Sequence, residues 1–200
     1  MYRRFGARWA LANVSFRLLE GGALRLTGAN GSGKSTLLRV LGTALRADLG
    51  SVRVGGLDLW ASRGVLRPTL AVYGHATGTW EELSPRDNLV AWNSFGGGTT
   101  NVDALLERVG LEAARTDPVR MLSAGQRRRL ALARMLLRTP SLALFDEPMT
   151  ALDVAGRALL TGVLKDLRQA GCTLVIATHD PAEVADVCDA DLNLDEGRVA

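Results

Sequence analysis

Short apolar runs alternate with amphipathic stretches along the chain, and that rhythm predicts its elements. Ala23-Leu24-Arg25-Leu26-Thr27 reads as a strand, and Leu37-Leu38-Arg39-Val40-Leu41 reads as a helix shortly after it. Leu142-Ala143-Leu144-Phe145 and Thr173-Leu174-Val175-Ile176-Ala177 are short unbroken apolar runs, the pattern of buried strands. Asn13-Val14-Ser15-Phe16-Arg17-Leu18 alternates like a half-buried strand, which Glu20-Gly21-Gly22 turns. Ser51-Val52-Arg53-Val54-Gly55-Gly56 reads as a strand and turn, and Leu70-Ala71-Val72-Tyr73 as a further short strand. From Trp80 to about Arg138 the pattern becomes helical. Pro85 opens one helix through Trp92, and Ser94 to Thr100 is a glycine-rich break. Asp103 to Val109 resumes a helix that Gly110 ends, and Ser123 is placed to cap a long helix through Leu137. Strand–helix alternation returns at Ser141, so the pattern predicts a β/α core interrupted by a helical insertion.

Composition narrows this picture. At 200 residues, 47% of them hydrophobic, the chain has enough apolar surface for one well-packed domain. No apolar run approaches the ~20 residues that span a bilayer. The opening Met1-Tyr2-Arg3-Arg4-Phe5-Gly6 is not followed by a signal-peptide core, so a cytoplasmic protein is expected. Cys172 and Cys188 lack metal-type spacing and are expected to be reduced, small, buried apolar residues. The net charge of +3 is mild, and fits a phosphorylated ligand or a position near anionic headgroups. Gln126-Arg127-Arg128-Arg129 falls on a predicted helix, so its arginines splay round the axis. With no aromatic residues interleaved, the run reads as a solvated face rather than a nucleic-acid patch.

Candidate chemistry begins after the first buried strand. Gly28-Ala29-Asn30-Gly31-Ser32-Gly33-Lys34-Ser35-Thr36 fits G-x-x-x-x-G-K-[ST] without a mismatch. The glycines let backbone N–H groups turn toward phosphates, and Lys34 supplies a point charge for the β- and γ-phosphates. The Ser35 hydroxyl is a Mg²⁺ ligand in this pattern, and the following helix directs its N-terminal dipole at the anion. A second apolar strand ends in Asp146-Glu147. Asp146 is placed to hold Mg²⁺ directly or through water, and Glu147 to polarise a water beside the γ-phosphate. Leu122-Ser123-Ala124-Gly125-Gln126 opens the long helix and reads as a second anion site, which predicts a phosphate contact made in trans by Ser123 and Gly125. Asp153 follows the two acids at short distance, and His179 follows the strand ending at Thr178, in reach of a γ-phosphate.

These five features, in this order, resemble those of the ATP-binding-cassette (ABC) ATPases: a Walker A motif, an LSGGQ-like element as LSAGQ, a Walker B motif with its glutamate, a D-loop and a switch histidine. The resemblance covers essentially the whole chain. It implies an α/β P-loop NTPase core with an antiparallel β edge subdomain and a helical insertion. As one domain over 1–200, the nucleotide-binding core would be 1–78 and 139–200, and residues 79–138 the helical subdomain carrying LSAGQ. It implies ATP and Mg²⁺ as ligands and a head-to-tail homodimer. In that dimer Lys34, Ser35 and Asp146 of one copy face Ser123, Gly125 and Gln126 of the other, with Asp153 nearby. Glu147, His179 and Lys34 would be the catalytic set. Phe5 matches the aromatic that stacks on adenine, with Trp9 the alternative. Tyr73-Gly74-His75 stands where the family usually has glutamine, and a structural or water-bridging role for His75 is expected over direct Mg²⁺ ligation.

Within the family, Gly74-His75, the segment Glu82 to Leu89, the Arg-rich continuation of LSAGQ, and Phe145 to Gly156 are similar to the haem-exporter ATPase of bacterial cytochrome c maturation. Leu41-Gly42-Thr43 departs from the usual Ala-Gly pair. The likeness implies a peripheral protein on the cytoplasmic face of the cell membrane, working with integral membrane subunits that dock around Gly78, Trp80, Glu81 and Glu82. Packing inside the helical insertion is the other reading of Trp80. No direct haem ligation is expected, because His75 and His179 are the only histidines and both have nucleotide-site readings. Another small exporter's ATPase and a soluble iron–sulfur-assembly ABC ATPase are the alternatives. Nucleic-acid ABC proteins carry tandem cassettes, coiled-coil insertions or zinc cysteines, none of which occurs here.

Overall fold

A computed structural model describes the chain apart from residues 75–77, 96–97 and 151. It contains two compact units, one of residues 1–72, 140–148 and 164–200, the other of 73–139 and 149–163. The strands are β1 (Arg3–Phe5), β2 (Arg8–Leu11), β3 (Ala23–Thr27), β4 (Arg53–Val54), β5 (Leu57–Asp58), β6 (Leu70–Tyr73), β7 (Leu142–Asp146), β8 (Thr173–Ala177), β9 (Ala190–Asp195) and β10 (Arg198–Val199). The helices are α1 (Lys34–Leu41), α2 (Arg63–Leu66), α3 (Pro85–Phe95), α4 (Val102–Arg108), α5 (Ala124–Leu136) and α6 (Val154–Gln169).

A six-stranded sheet in the order β10-β9-β3-β8-β7-β6 organises the first unit. β3 runs parallel to both β8 and β9, and β8 is parallel to β7. The unbroken apolar runs of β7 and β8 follow from this position: a strand covered on both faces has no solvated side to alternate toward. Leu37, Leu38, Val40 and Leu41 of α1 pack with Leu24, Leu26, Leu144 and Val175 in the core. Two antiparallel pairs, β1–β2 and β4–β5, complete the small β part of the α/β fold.

Asn13 to Leu18 forms no strand, contrary to the alternation. Asn13 has φ 58°, which breaks the extended run. The Val14 N–H then donates to the Met1 carbonyl, and the Met1 ammonium donates back to the Val14 carbonyl. The alternation reflects burial instead, since Val14 is buried and Phe16 and Leu18 pack against the same core.

In the second unit, α3, α4 and α5 bury Leu89, Leu105, Leu106, Leu130 and Ala133 together. α4 begins at Asn101, whose side chain accepts from the Asp103 and Ala104 N–H groups. α5 begins with a full capping box: Ser123 Oγ accepts from the Gln126 N–H at 3.2 Å, and Gln126 Oε1 accepts from the Ser123 N–H at 2.9 Å. Fully buried Asn88 accepts from the Trp80 N–H and donates to the Trp80 and Ser84 carbonyls, which fixes the loop before α3.

The arginine run is not a freely solvated face. Arg127 donates to the Leu122 and Arg120 carbonyls, Arg128 is buried and donates to the Gly74 carbonyl, and Arg129 pairs with Asp153. Carbonyls of the irregular segments beside α5 have no ladder partner, and the guanidinium groups supply the missing donors. Both cysteines are free. Burial raises each thiol to about 11, so they are neutral near pH 7.

Thr43 carries backbone strain just after α1. Its φ is 61°, a region unfavourable for a β-branched residue, and its buried Oγ1 has no hydrogen-bond partner. Thr43→Gly is expected to stabilise the protein by about 1 kcal/mol. That corresponds to a Tm rise of roughly 2–4 °C by calorimetry. An equal or lower Tm would mean that packing of the Thr43 methyl outweighs the strain.

Candidate functional site

Backbone register sets the site. Ala177 of β8 lies opposite Leu26 of β3 on one side and Asp146 of β7 on the other. The C-terminal ends of three neighbouring parallel strands are therefore level. Each chain segment leaving that edge carries a predicted site group. Residues 28–33 follow β3, Glu147 directly follows β7, and His179 lies two residues beyond the end of β8. The exits are hydrogen-bonded together: the Glu147 N–H donates to the Ala177 carbonyl and the Thr178 N–H to the Leu26 carbonyl.

The loop from Gly28 to Gly33 is packed too closely for side chains at two points. A Cβ on Gly28 would stand 2.1 Å from the Leu194 carbonyl oxygen, and one on Gly33 2.5 Å from the Ala10 carbonyl oxygen. Both also have positive φ. Gly33 caps α1 with no side-chain hydrogen bond, and the first turn of α1 contains no acid. The free N–H groups of that turn make a favourable anion position. Lys34 is nearly buried, and its Nζ donates to the Gly28 and Ala29 carbonyls at 2.6 and 3.1 Å.

A cleft of about 430 Å³ opens here, lined by Asn30, Gly31, Gly33, Lys34, Ser35, Thr36, Asp146 and Glu147 from the loop and strand ends. Phe5, Arg8 and Ala10 line it from the β1–β2 hairpin. Gly28 and Ser32 are not among the lining residues. Gly28 contributes its carbonyl to Lys34, and Ser32 is a buried member of the loop. Ser35 Oγ donates to Asp146 Oδ1 at 3.1 Å. Glu147 Oε2 lies 2.6 Å from His179 Nδ1, with Glu147 largely enclosed and His179 exposed. Hydrogen bonding to Glu147, then its charge, holds the His179 imidazole above its ordinary value near 6.5. Glu147 has φ 49°, an uncommon conformation for a non-glycine residue.

The hairpin separates the two candidate aromatics. Phe5 lines the cleft, whereas Trp9 packs edge-on to Tyr2 with the Arg4 guanidinium over its ring. Arg8 and Ala10 are not among the sequence-predicted site residues. Their signal is the two-residue turn Gly6-Ala7, which makes Arg8 the partner of Phe5. Ser123, Gly125, Gln126 and Asp153 belong to the second unit. There Asp153 accepts from the Gly156 N–H at 2.7 Å and from Arg129. A Cβ on Gly125 would meet open space. His75 lies outside the described residues. Among the described residues no cluster of three or more His, Cys, Asp and Glu forms a metal site, and no helix is long and apolar enough to cross a membrane.

A cleft joining an aromatic face, an uncapped helix N-terminus, a buried lysine and two carboxylates suits a nucleoside polyphosphate. Comparison with known proteins agrees. A family model described as ABC transporter matches residues 11–150. The cytochrome c biogenesis ATP-binding export protein CcmA of Rhodospirillum rubrum is 42% identical over 175 residues, covering 87% of this chain and 75% of that protein. The daunorubicin resistance ATP-binding protein DrrA3 of Streptomyces coeruleorubidus is 35% identical over 202 residues, covering 98% of this chain and 64% of that one. Among solved structures, a dimeric ATP-binding cassette in a post-hydrolysis state with ADP and Pi aligns with TM-score 0.88 at 26% identity, covering 99% of this chain and 92% of that chain. The chain thus belongs to the ABC transporter family, as one of its ATPase cassettes.

Proposed function

We propose that this chain is the ATP-hydrolysing subunit of the haem exporter of cytochrome c biogenesis, energising the release of haem-loaded chaperone. The observation that carries this reading is its likeness to cytochrome c biogenesis export proteins over most of its length. Its likeness to a drug-resistance ATP-binding protein keeps one second reading, the ATPase of another exporter.

In this reading adenine stacks on Phe5, and the phosphates lie along Gly31, Ser32 and Gly33 to the N-terminus of α1, with Asn30 and Thr36 bordering them. Lys34 exchanges its loop carbonyls for the β- and γ-phosphates. The oxygen donors Ser35 and Asp146, already 3.1 Å apart, suit Mg²⁺, a hard cation that keeps several waters and phosphate oxygens as ligands. Bound there, Mg²⁺ would neutralise charge on the β- and γ-oxygens. Glu147 positions and polarises the attacking water. His179 contacts the γ-phosphate and, through Nδ1, holds the Glu147 carboxylate in one orientation.

Ser123, Gly125 and Gln126 of a second copy complete the site in a head-to-tail dimer, with Asp153 beside them. The dimeric cassette with ADP and Pi supports that arrangement. The free Gly125 surface supports close approach of a phosphate, since no side chain stands over the helix start. Integral membrane subunits dock around Gly78, Trp80, Glu81 and Glu82 at the cytoplasmic face. There Trp80 stacks on Trp92 at 5.5 Å yet remains 42% exposed, a rigid aromatic edge suited to a protein partner.

Glu147→Gln is expected to retain ATP affinity, lower turnover by about 10²-fold or more, and accumulate an ATP-bound dimer on gel filtration. Turnover near the parent rate would refute the role of Glu147. In NMR titration His179 should lose its proton above 6.5, and Glu147→Gln should move that midpoint down. The His179 imidazolium that this pairing favours is fully formed at pH below 6.5 and is lost as pH rises through the raised folded-state value, which lies above 6.5. An unmoved midpoint would refute the pairing. Cells whose sole copy carries Glu147→Gln should lose covalent-haem staining of c-type cytochromes while still making the apo-polypeptides. Normal staining would favour another exporter.

A further inference from the structure

We propose that Arg8 is a nucleotide-binding residue whose guanidinium takes the α-phosphate of the bound nucleotide. This rests on the reading that the nucleotide occupies the cleft with its base on Phe5.

Phe5 and Arg8 are directly opposed across the antiparallel β1–β2 pair. Opposed residues project from the same face, with Cβ atoms about 5 Å apart. Ala10, two residues on, shares that face by the period of a strand, and all three line the cleft. Tyr2, Arg4 and Trp9 pack among themselves away from it. Arg8 is thus turned toward the cleft by its register.

At one end of this face stands Phe5, with the Arg3 guanidinium 5.0 Å from its ring centre and bonded to Asp48. At the other end the Ala10 carbonyl presses against Gly33, at the start of α1. Two residues of strand span about 7 Å. Arg8 stands level with Phe5 but on β2, the strand that runs on to Ala10, so an extended guanidinium reaches from the base end along the cleft toward the start of α1. In a nucleotide the segment between the base and the β-phosphate is the ribose and the α-phosphate, and only the α-phosphate is anionic.

Among the described residues, Arg8 is exposed and makes no hydrogen bond, ion pair or ring contact. Arg3 and Arg25, by contrast, are held by Asp48 and Asp191. Lys34 is engaged with its own loop. A guanidinium in a forked geometry, with all its donors available and facing a phosphate site, is suited to bidentate contact with a phosphate.

The test compares Arg8→Ala and Arg8→Lys with the parent chain, using calorimetric dissociation constants for ATP, ADP, AMP and adenosine. Arg8→Ala should weaken ATP, ADP and AMP alike, on the order of tenfold each, and leave adenosine unchanged. Arg8→Lys should recover part of the loss. A merely structural role would weaken adenosine as well. Unchanged affinities for all four ligands overturn the proposal. An equal loss for adenosine also overturns it, because the guanidinium would then be serving the base or ribose. Phe5→Ala separates the two readings: if adenosine binding is unaffected there while Arg8→Ala loses only the phosphorylated ligands, the base placement fails and the Arg8 contact stands.

Discussion

The register of three parallel strands is the constraint on which the rest of the site depends. Ala177 of β8 is paired on both sides, to Leu26 and to Asp146, so three strand ends finish at one level. Parallel ladders fix that level through buried backbone hydrogen bonds, with apolar side chains above and below. Everything polar at the edge is attached by one or two further residues. Asp146 is the last residue of its strand, Glu147 the next, and His179 is two beyond β8. A slip of one residue in β7 would reverse the face of every side chain and separate Asp146 from Ser35. The apolar core and the chemistry are therefore one problem, and a polar residue within Leu142–Phe145 would disturb both.

The second constraint is a backbone brace. The loop after β3 is pinched between β2 and the end of β9: Gly28 sits against the Leu194 carbonyl and Gly33 against the Ala10 carbonyl. Gly197, in the β9–β10 turn, donates to the Ser32 carbonyl and accepts from the Ala12 N–H. Its own Cβ would lie 2.7 Å from the Ala10 carbonyl oxygen. Three segments far apart in the chain are thus held by main-chain contacts that tolerate only glycine. This brace explains why the β1–β2 hairpin, itself a small two-stranded piece, is a fixed wall of the cleft.

Much of this was legible in the chain because local signals and tertiary demands agree. The runs at 142–145 and 173–177 are apolar throughout because both faces are covered. Ser123 and Gln126 carry a capping box in their spacing. The loop glycines are dictated by φ and close approach, both of which a pattern records. Other features were not legible because they depend on partners distant in sequence. Asn13–Leu18 alternates yet has no ladder, since its hydrogen bonds go to Met1. Arg127, Arg128 and Arg129 look like surface charge, but carbonyls at 122, 120 and 74 and the Asp153 carboxylate hold them. Thr43 gave no sign of strain, because φ is not encoded by residue type once a β-branched side chain stands in a left-handed position. Arg8 was hidden for a related reason: a charge next to a glycine turn is commonplace, and only the Phe5–Arg8 register aims it.

The cleft's charged groups differ in whether they are already engaged, and that difference bears on how a ligand is held. Lys34 donates to two carbonyls, Ser35 to Asp146, and Glu147 is paired with His179. Each must exchange an existing hydrogen bond for one to ligand, so its net contribution to ground-state binding is the difference between two good interactions. Groups of this kind are better suited to the transition state, where charge develops and the new bond outweighs the old. An unengaged guanidinium gives up only water. It contributes to binding of every charge state of the ligand that retains the phosphate it touches, and little to discrimination between ground and transition states. On the proposed reading, the strand-end groups would govern turnover, and the hairpin would govern retention of nucleotide before and after it.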